Sequence, residues 1–102
     1  FGGVGTLTTT TGAVSVDFSA YQNYVQNEPT GAITYSFTDP IGPCHCQIFI
    51  NSDGTSSAYG FTFPGNVTWM GSTWTTTVAN KKSVINLWFD GTNYYAMGAD
   101  EV

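Results

Sequence analysis

Arginine is missing from this chain, and its basic charge is confined to two adjacent lysines, Lys81 and Lys82. Nucleic-acid binding needs several Lys or Arg side chains to neutralise phosphates, so that class of partner is excluded. Attraction to an anionic membrane surface fails for the same reason. Long apolar runs are missing too. The longest, such as Gln47-Ile48-Phe49-Ile50, are strand-length, so insertion into a bilayer is not expected. Only two cysteines occur, too few for a disulfide-dense secreted scaffold. Charged residues amount to 9% of the 102, and the ordinary helix formers Lys, Glu and Arg are nearly absent. A chain beginning at Phe1 without a basic leader is expected to be a mature product or a piece of something longer.

What is present points to strands. Thr (16), Gly (12), Ser (8) and Asn (7) dominate, and aromatics reach 16%. One domain of this size buries roughly 65% of its unfolded surface, enough for one modest core. Phe1 to Gly12 has only Val4 and Leu7 as apolar anchors and reads as a flexible linker or extended arm, residues 1–12. The folded domain is expected over residues 13–102. Val14, Val16 and Phe18 alternate with Ser15, Asp17 and Ser19, as do Ile33, Tyr35 and Phe37 with Thr34, Ser36 and Thr38. Tyr21 to Gln26, Cys44 to Ile50, Tyr59 to Phe63, Val67 to Trp69 and Thr73 to Val78 also read as strands. Asn51-Ser52-Asp53-Gly54 reads as a hairpin loop. The strongest hairpin signal is Ser83 to Phe89, then Asp90-Gly91-Thr92-Asn93, then Tyr94 to Met97. Ser83 to Phe89 is largely apolar on both faces, which predicts a central strand covered on both sides or against another subunit. Eight or nine short antiparallel strands at this spacing predict an all-β fold, a β-sandwich or small jelly roll.

Phe63-Pro64-Gly65-Asn66-Val67-Thr68-Trp69, followed by Asn86-Leu87-Trp88-Phe89-Asp90-Gly91-Thr92-Asn93-Tyr94-Tyr95, resembles the terminal β-domain of bacteriophage tail fibres and related virion appendages. Val14-Ser15-Val16-Asp17-Phe18 is similar to the opening strand of that group, so the resemblance covers roughly Ala13 to Gly98. It implies a non-enzymatic homotrimer on the virion surface, in contact with other virion proteins. The Cys44-His45-Cys46 strand and the Trp74 segment depart from the pattern.

Residue chemistry agrees with a non-enzymatic reading. The single histidine, His45, lies on the opposite strand face from Cys44 and Cys46 and cannot deprotonate either. The acids Asp17, Glu28, Asp39, Asp53, Asp90, Asp100 and Glu101 fall mostly at turns and strand ends, where Asp serves the backbone. No catalytic residue, metal ligand set or cofactor is assigned. Cys44 and Cys46 read as small buried hydrophobes, with a strained disulfide or a shared metal on a trimer axis as alternatives. Asn66-Val67-Thr68 is a glycosylation sequon only in a eukaryotic secretory host. Phe18, Phe37, Phe49, Phe61, Phe63 and Phe89 read as core. Trp74, alone among threonines, together with Tyr21 and Tyr24, forms the candidate platform for stacking a host surface saccharide, unless Trp74 packs on a neighbouring subunit. The other function class is a carbohydrate-binding or adhesin module of a secreted bacterial protein.

Overall fold

The computed structural model describes residues 3–52, 54 and 57–102. Among them the chain is all-β, with no helix, and therefore no helix long and apolar enough to cross a membrane. The strands are β1 (Val4–Leu7), β2 (Gly12–Asp17), β3 (Asn23–Gln26), β4 (Ile33–Thr38), β5 (Cys44–Ile50), β6 (Phe61–Thr62), β7 (Val67–Trp69), β8 (Ser83–Phe89) and β9 (Tyr94–Asp100). They form a six-stranded sheet in the order β1-β3-β5-β8-β9-β7 and a three-stranded sheet in the order β2-β4-β6.

From β1 to β6 the chain enters the two sheets alternately, and each strand lies parallel to the preceding one of its own sheet. A parallel pair needs a long crossover, and here the crossover is a strand of the opposite sheet. β7 and β9 are parallel as well, so only β5–β8 and β8–β9 are antiparallel. The larger sheet is thus mixed and the smaller one wholly parallel, not antiparallel throughout as the alternation suggested. Fully parallel sheets are normally buried on both faces and read as unbroken apolar runs, whereas these strands alternate because each sheet buries one face. The segment after Ile50 passes to the other sheet and makes no hairpin; Asp53 lies outside the described residues. Tyr59–Phe63 and Thr73–Val78 shrink to β6 and a single bridge between Gly60 and Thr76.

The inward faces of both sheets share one cluster. Val14, Val16, Ile33, Tyr35 and Phe61 come from the smaller sheet, and Ile48, Ile50, Ile85, Leu87, Phe89 and Tyr94 from the larger. Phe18, Phe61 and Phe89 are core as expected, and Phe37 and Phe63 pack against it half-buried. Phe49 is a correction: Ile48 and Ile50 point inward, so pleating turns Phe49 to the outer face.

The segment read as an arm also differs. Phe1 and Gly2 lie outside the described residues, but Val4–Leu7 is an edge strand paired with β3 through the register Val4↔Asn23 to Leu7↔Gln26. Leu7 is buried, and the Leu7 carbonyl accepts the Asn27 N–H at 3.0 Å. The polar threonines hide this, because backbone pairing plus one apolar anchor is enough for an edge strand.

The closing hairpin forms as expected. The Asp90 carboxylate accepts the N–H groups of Thr92 and Asn93, both at 2.8 Å, and Gly91 takes φ 105°. Leu87 is buried opposite Ala96, while Thr92 is exposed at the turn. Leu87→Ala is therefore expected to cost about 2–5 kcal/mol. Thr92→Ala should cost under about 0.5 kcal/mol. Denaturant midpoints of the two variants check the strand register; equal midpoints would contradict it.

Candidate binding surface

The outer face of the six-stranded sheet is not covered by the rest of the described chain. Its residues line up in rows across the strands, about 4.8 Å apart from strand to strand. One row runs His45, Trp88, Tyr95, Thr68 across β5, β8, β9 and β7. The next runs Asn23, Gln47, Asn86, Met97 across β3, β5, β8 and β9. A third runs Val25, Phe49, Val84, Ala99. None of these rows carries an Asp, Glu, Lys or Arg. Trp88 is 50% exposed and Met97 60%, values far above those of buried core aromatics and methionines.

Two shallow hollows mark this face. His45, Met70, Asn86, Trp88, Tyr95 and Met97 border one of about 340 Å³. The other, about 300 Å³, has Phe49, Val84 and Ala99 in it, with Lys82, Asp100 and Glu101 at its rim. The rim is tied down: Lys82 donates from Nζ to Asn51 Oδ1 at 2.7 Å, and its backbone N–H donates to Glu101 Oε1 at 3.0 Å. β8, expected to be central and covered on both sides or against another subunit, is internal to its sheet, and the described chain covers its inner face.

The structure does not assemble Trp74, Tyr21 and Tyr24 into a platform. Trp74 is buried, 6% exposed, with its ring 5.3 Å from Phe61 and 6.1 Å from Phe63. Its indole N–H donates to Asp100 Oδ1 at 2.9 Å, and Ser83 Oγ donates to the same oxygen at 2.6 Å. Gly98 lets it sit there, since a Cβ at that position would fall 2.5 Å from Trp74 Cβ. The Thr-rich flanks lack apolar i±2 partners because Trp74 lies in a link between strands and finds its partners across the core. Tyr24 is buried on β3, and its hydroxyl donates to the Asp17 carbonyl at 2.5 Å. Burial, with the negative Asp17 nearby, raises its phenol pKa. Tyr21 alone is exposed, edge-on to Tyr24 at 5.9 Å between centroids. Two of the three rings therefore present no free face. Trp88, Tyr95 and His45 occupy the open surface instead; the signal for them was the apolar character of both sides of Ser83–Phe89.

Several ionisable groups serve the fold. The Ser19 hydroxyl and N–H hold the Asp17 carboxyl below its ordinary range. The N–H groups of Asn93 and Thr92 do the same for Asp90, with a smaller contribution from the Tyr95 hydroxyl. Asp39 Oδ1 accepts the buried Tyr94 hydroxyl at 2.7 Å. Cys44 and Cys46 are free thiols, 3.9 Å apart at sulfur. Burial first, then Cys44, pushes the Cys46 thiol up to about 12, which leaves it neutral and unreactive. His45 is exposed on the opposite strand face, as its position between them requires. Among the described residues, no three His, Cys, Asp or Glu side chains come together as a metal site.

No protein-family model, curated protein or solved structure matches the chain.

Proposed function

We propose that the protein is a homotrimeric, non-enzymatic structural and adhesion module of a virion surface whose adhesive contact is the outer face of its larger sheet. The observation that carries this reading is an open sheet face whose central rows hold no charged side chain, with half-exposed Trp88 and Met97, set on six hydrogen-bonded strands. An exposed apolar patch of this kind on a rigid sheet is the usual mark of a contact surface. The two layers around one core are read as a β-sandwich wound largely in parallel. Apolar side chains away from that face, above all Ile41 at 97% exposure on the Pro40–Pro43 turn, give neighbouring copies something to bury. Three linked copies would multiply a weak contact to a host surface.

Sedimentation at micromolar concentration is the test of assembly. The expected mass is about three times 10.9 kDa. A stable single-chain mass would overturn the trimer.

A further inference from the structure

We propose that the His45–Trp88–Tyr95 row, with the Asn23–Gln47–Asn86 amide row beside it, is a binding platform for a neutral saccharide. The inference deepens the adhesion reading and rests on it for its biological setting, while its chemistry stands on this face alone.

A sugar ring presents an apolar C–H face and a rim of hydroxyls that both donate and accept. The first asks for an exposed aromatic ring, the second for groups of mixed hydrogen-bonding character. Trp88 supplies the ring, between His45 and Tyr95 in register on either side. Asn86 lies on the same strand face as Trp88, two residues back, and Gln47 and Asn23 continue its row outward. None of these three side-chain amides is spent on a hydrogen bond within the described chain, unlike Gln26, Asn51 and Asn66. Each amide offers an acceptor and two donors, the complement a hydroxyl needs. Stacking and amide rows therefore run side by side across several strands, a shape suited to an extended oligosaccharide rather than one sugar.

Charge selects the class of ligand. The rows contain no carboxylate to neutralise a cationic ligand and no Lys or Arg to pair a sulfated or sialylated one. The net charge of −5 repels polyanions further. A second copy of the chain fits less well: an apolar patch pressed on this face would bury the amide row without partners.

The test uses the whole protein with two neutral probes, chitohexaose and maltohexaose, and a heparin hexasaccharide as the charged control. Tryptophan fluorescence titration is expected to show one neutral probe binding with a dissociation constant of about 1 mM, and heparin not binding. Trp88→Ala should weaken binding about tenfold or more, the scale of one lost stacking contact. Asn86→Ala combined with Gln47→Ala should weaken it too, and Ser15→Ala on the opposite sheet should leave it unchanged. Both sets lie on exposed or half-buried outward positions, and near-ultraviolet circular dichroism confirms that each variant is folded. Wild-type affinity in Trp88→Ala, binding of heparin alone, or no binding of either neutral probe would overturn the platform. A Trp88→Ala protein that binds no differently but loses its assembly would reassign the face to an interface between copies. A single-chain protein that binds a neutral probe through Trp88 would overturn the trimer and leave the platform standing.

Discussion

Phe18→Ala is expected to cost about 3–5 kcal/mol, the range for emptying a fully buried aromatic site. Phe18 follows β2 at the turn into β3 and is wholly buried. Its ring lies 4.9 Å from Phe37, 5.8 Å from Tyr24 and 5.9 Å from Tyr94, so it joins the smaller sheet to both halves of the larger one. Its backbone N–H donates to the Thr38 carbonyl at 3.0 Å and fixes the ring over that junction. The partners come from separate strands whose backbones are fixed by pairing, so the cavity cannot collapse cheaply. For a domain holding about 5–15 kcal/mol in all, this change alone brings the protein near its unfolding limit. Urea denaturation checks it, and a loss under about 1 kcal/mol would mean that the two sheets do not meet at this ring.

Gln26→Leu is the second large effect, and it acts by stranding polar groups rather than by opening a void. Gln26 is fully buried on β3. Its Nε2 donates to the carbonyls of Thr9 at 2.9 Å and Asn27 at 3.0 Å, and its Oε1 accepts the Tyr35 hydroxyl at 2.8 Å. Burial already pushes the Tyr35 phenol up and keeps it neutral, so its hydroxyl depends on that one acceptor. Leucine keeps the volume and removes every bond. The buried Tyr35 hydroxyl left unpaired costs about 1–3 kcal/mol, and the part-buried bonds lost at the Thr9 and Asn27 carbonyls add to it, so the total is expected to be about 2 kcal/mol or more. Adding Tyr35→Phe removes one of the orphans, so the double variant should recover part of the loss. A single variant within about 1 kcal/mol of wild type would contradict the network. The Thr9 carbonyl belongs to the link after β1, so the same change should speed hydrogen exchange along β1.

These two residues mark how far the sequence could be read. Phe18 was legible, because Val14, Val16 and Phe18 alternate with polar residues and one-sided burial produces that alternation. The β8–β9 hairpin was legible too, since Asp90-Gly91 states its turn chemistry within the turn itself. Strand direction was not. Alternation is the same for parallel and antiparallel pairs, and the direction here is set by links that carry the chain to the other sheet. β1 was hidden because pairing with β3 uses backbone groups, which composition does not report. The role of Gln26 was hidden for the same reason, since the Thr9 carbonyl and the Tyr35 phenol that hold it are brought in from distant segments.

The surface proposed for binding was half legible. Exposed apolar surface could be expected from so many aromatics and so little charge. Which ring stands open could not, because Trp74 among threonines and Trp88 among Leu87 and Phe89 each look opposite to what they are. Trp74 crosses the core to reach Phe61 and Asp100, while pleating alone turns Trp88 outward from two buried neighbours.

The most direct test of this surface follows the indole N–H signals of Trp69, Trp74 and Trp88 by nuclear magnetic resonance during titration with chitohexaose and maltohexaose. The Trp88 signal is expected to shift with saturation, together with the side-chain amides of Asn86 and Gln47, while Trp74, hydrogen-bonded to Asp100, stays in place. A shift at Trp74 or Tyr21 with Trp88 unmoved, or no shift at any of them, would contradict the account.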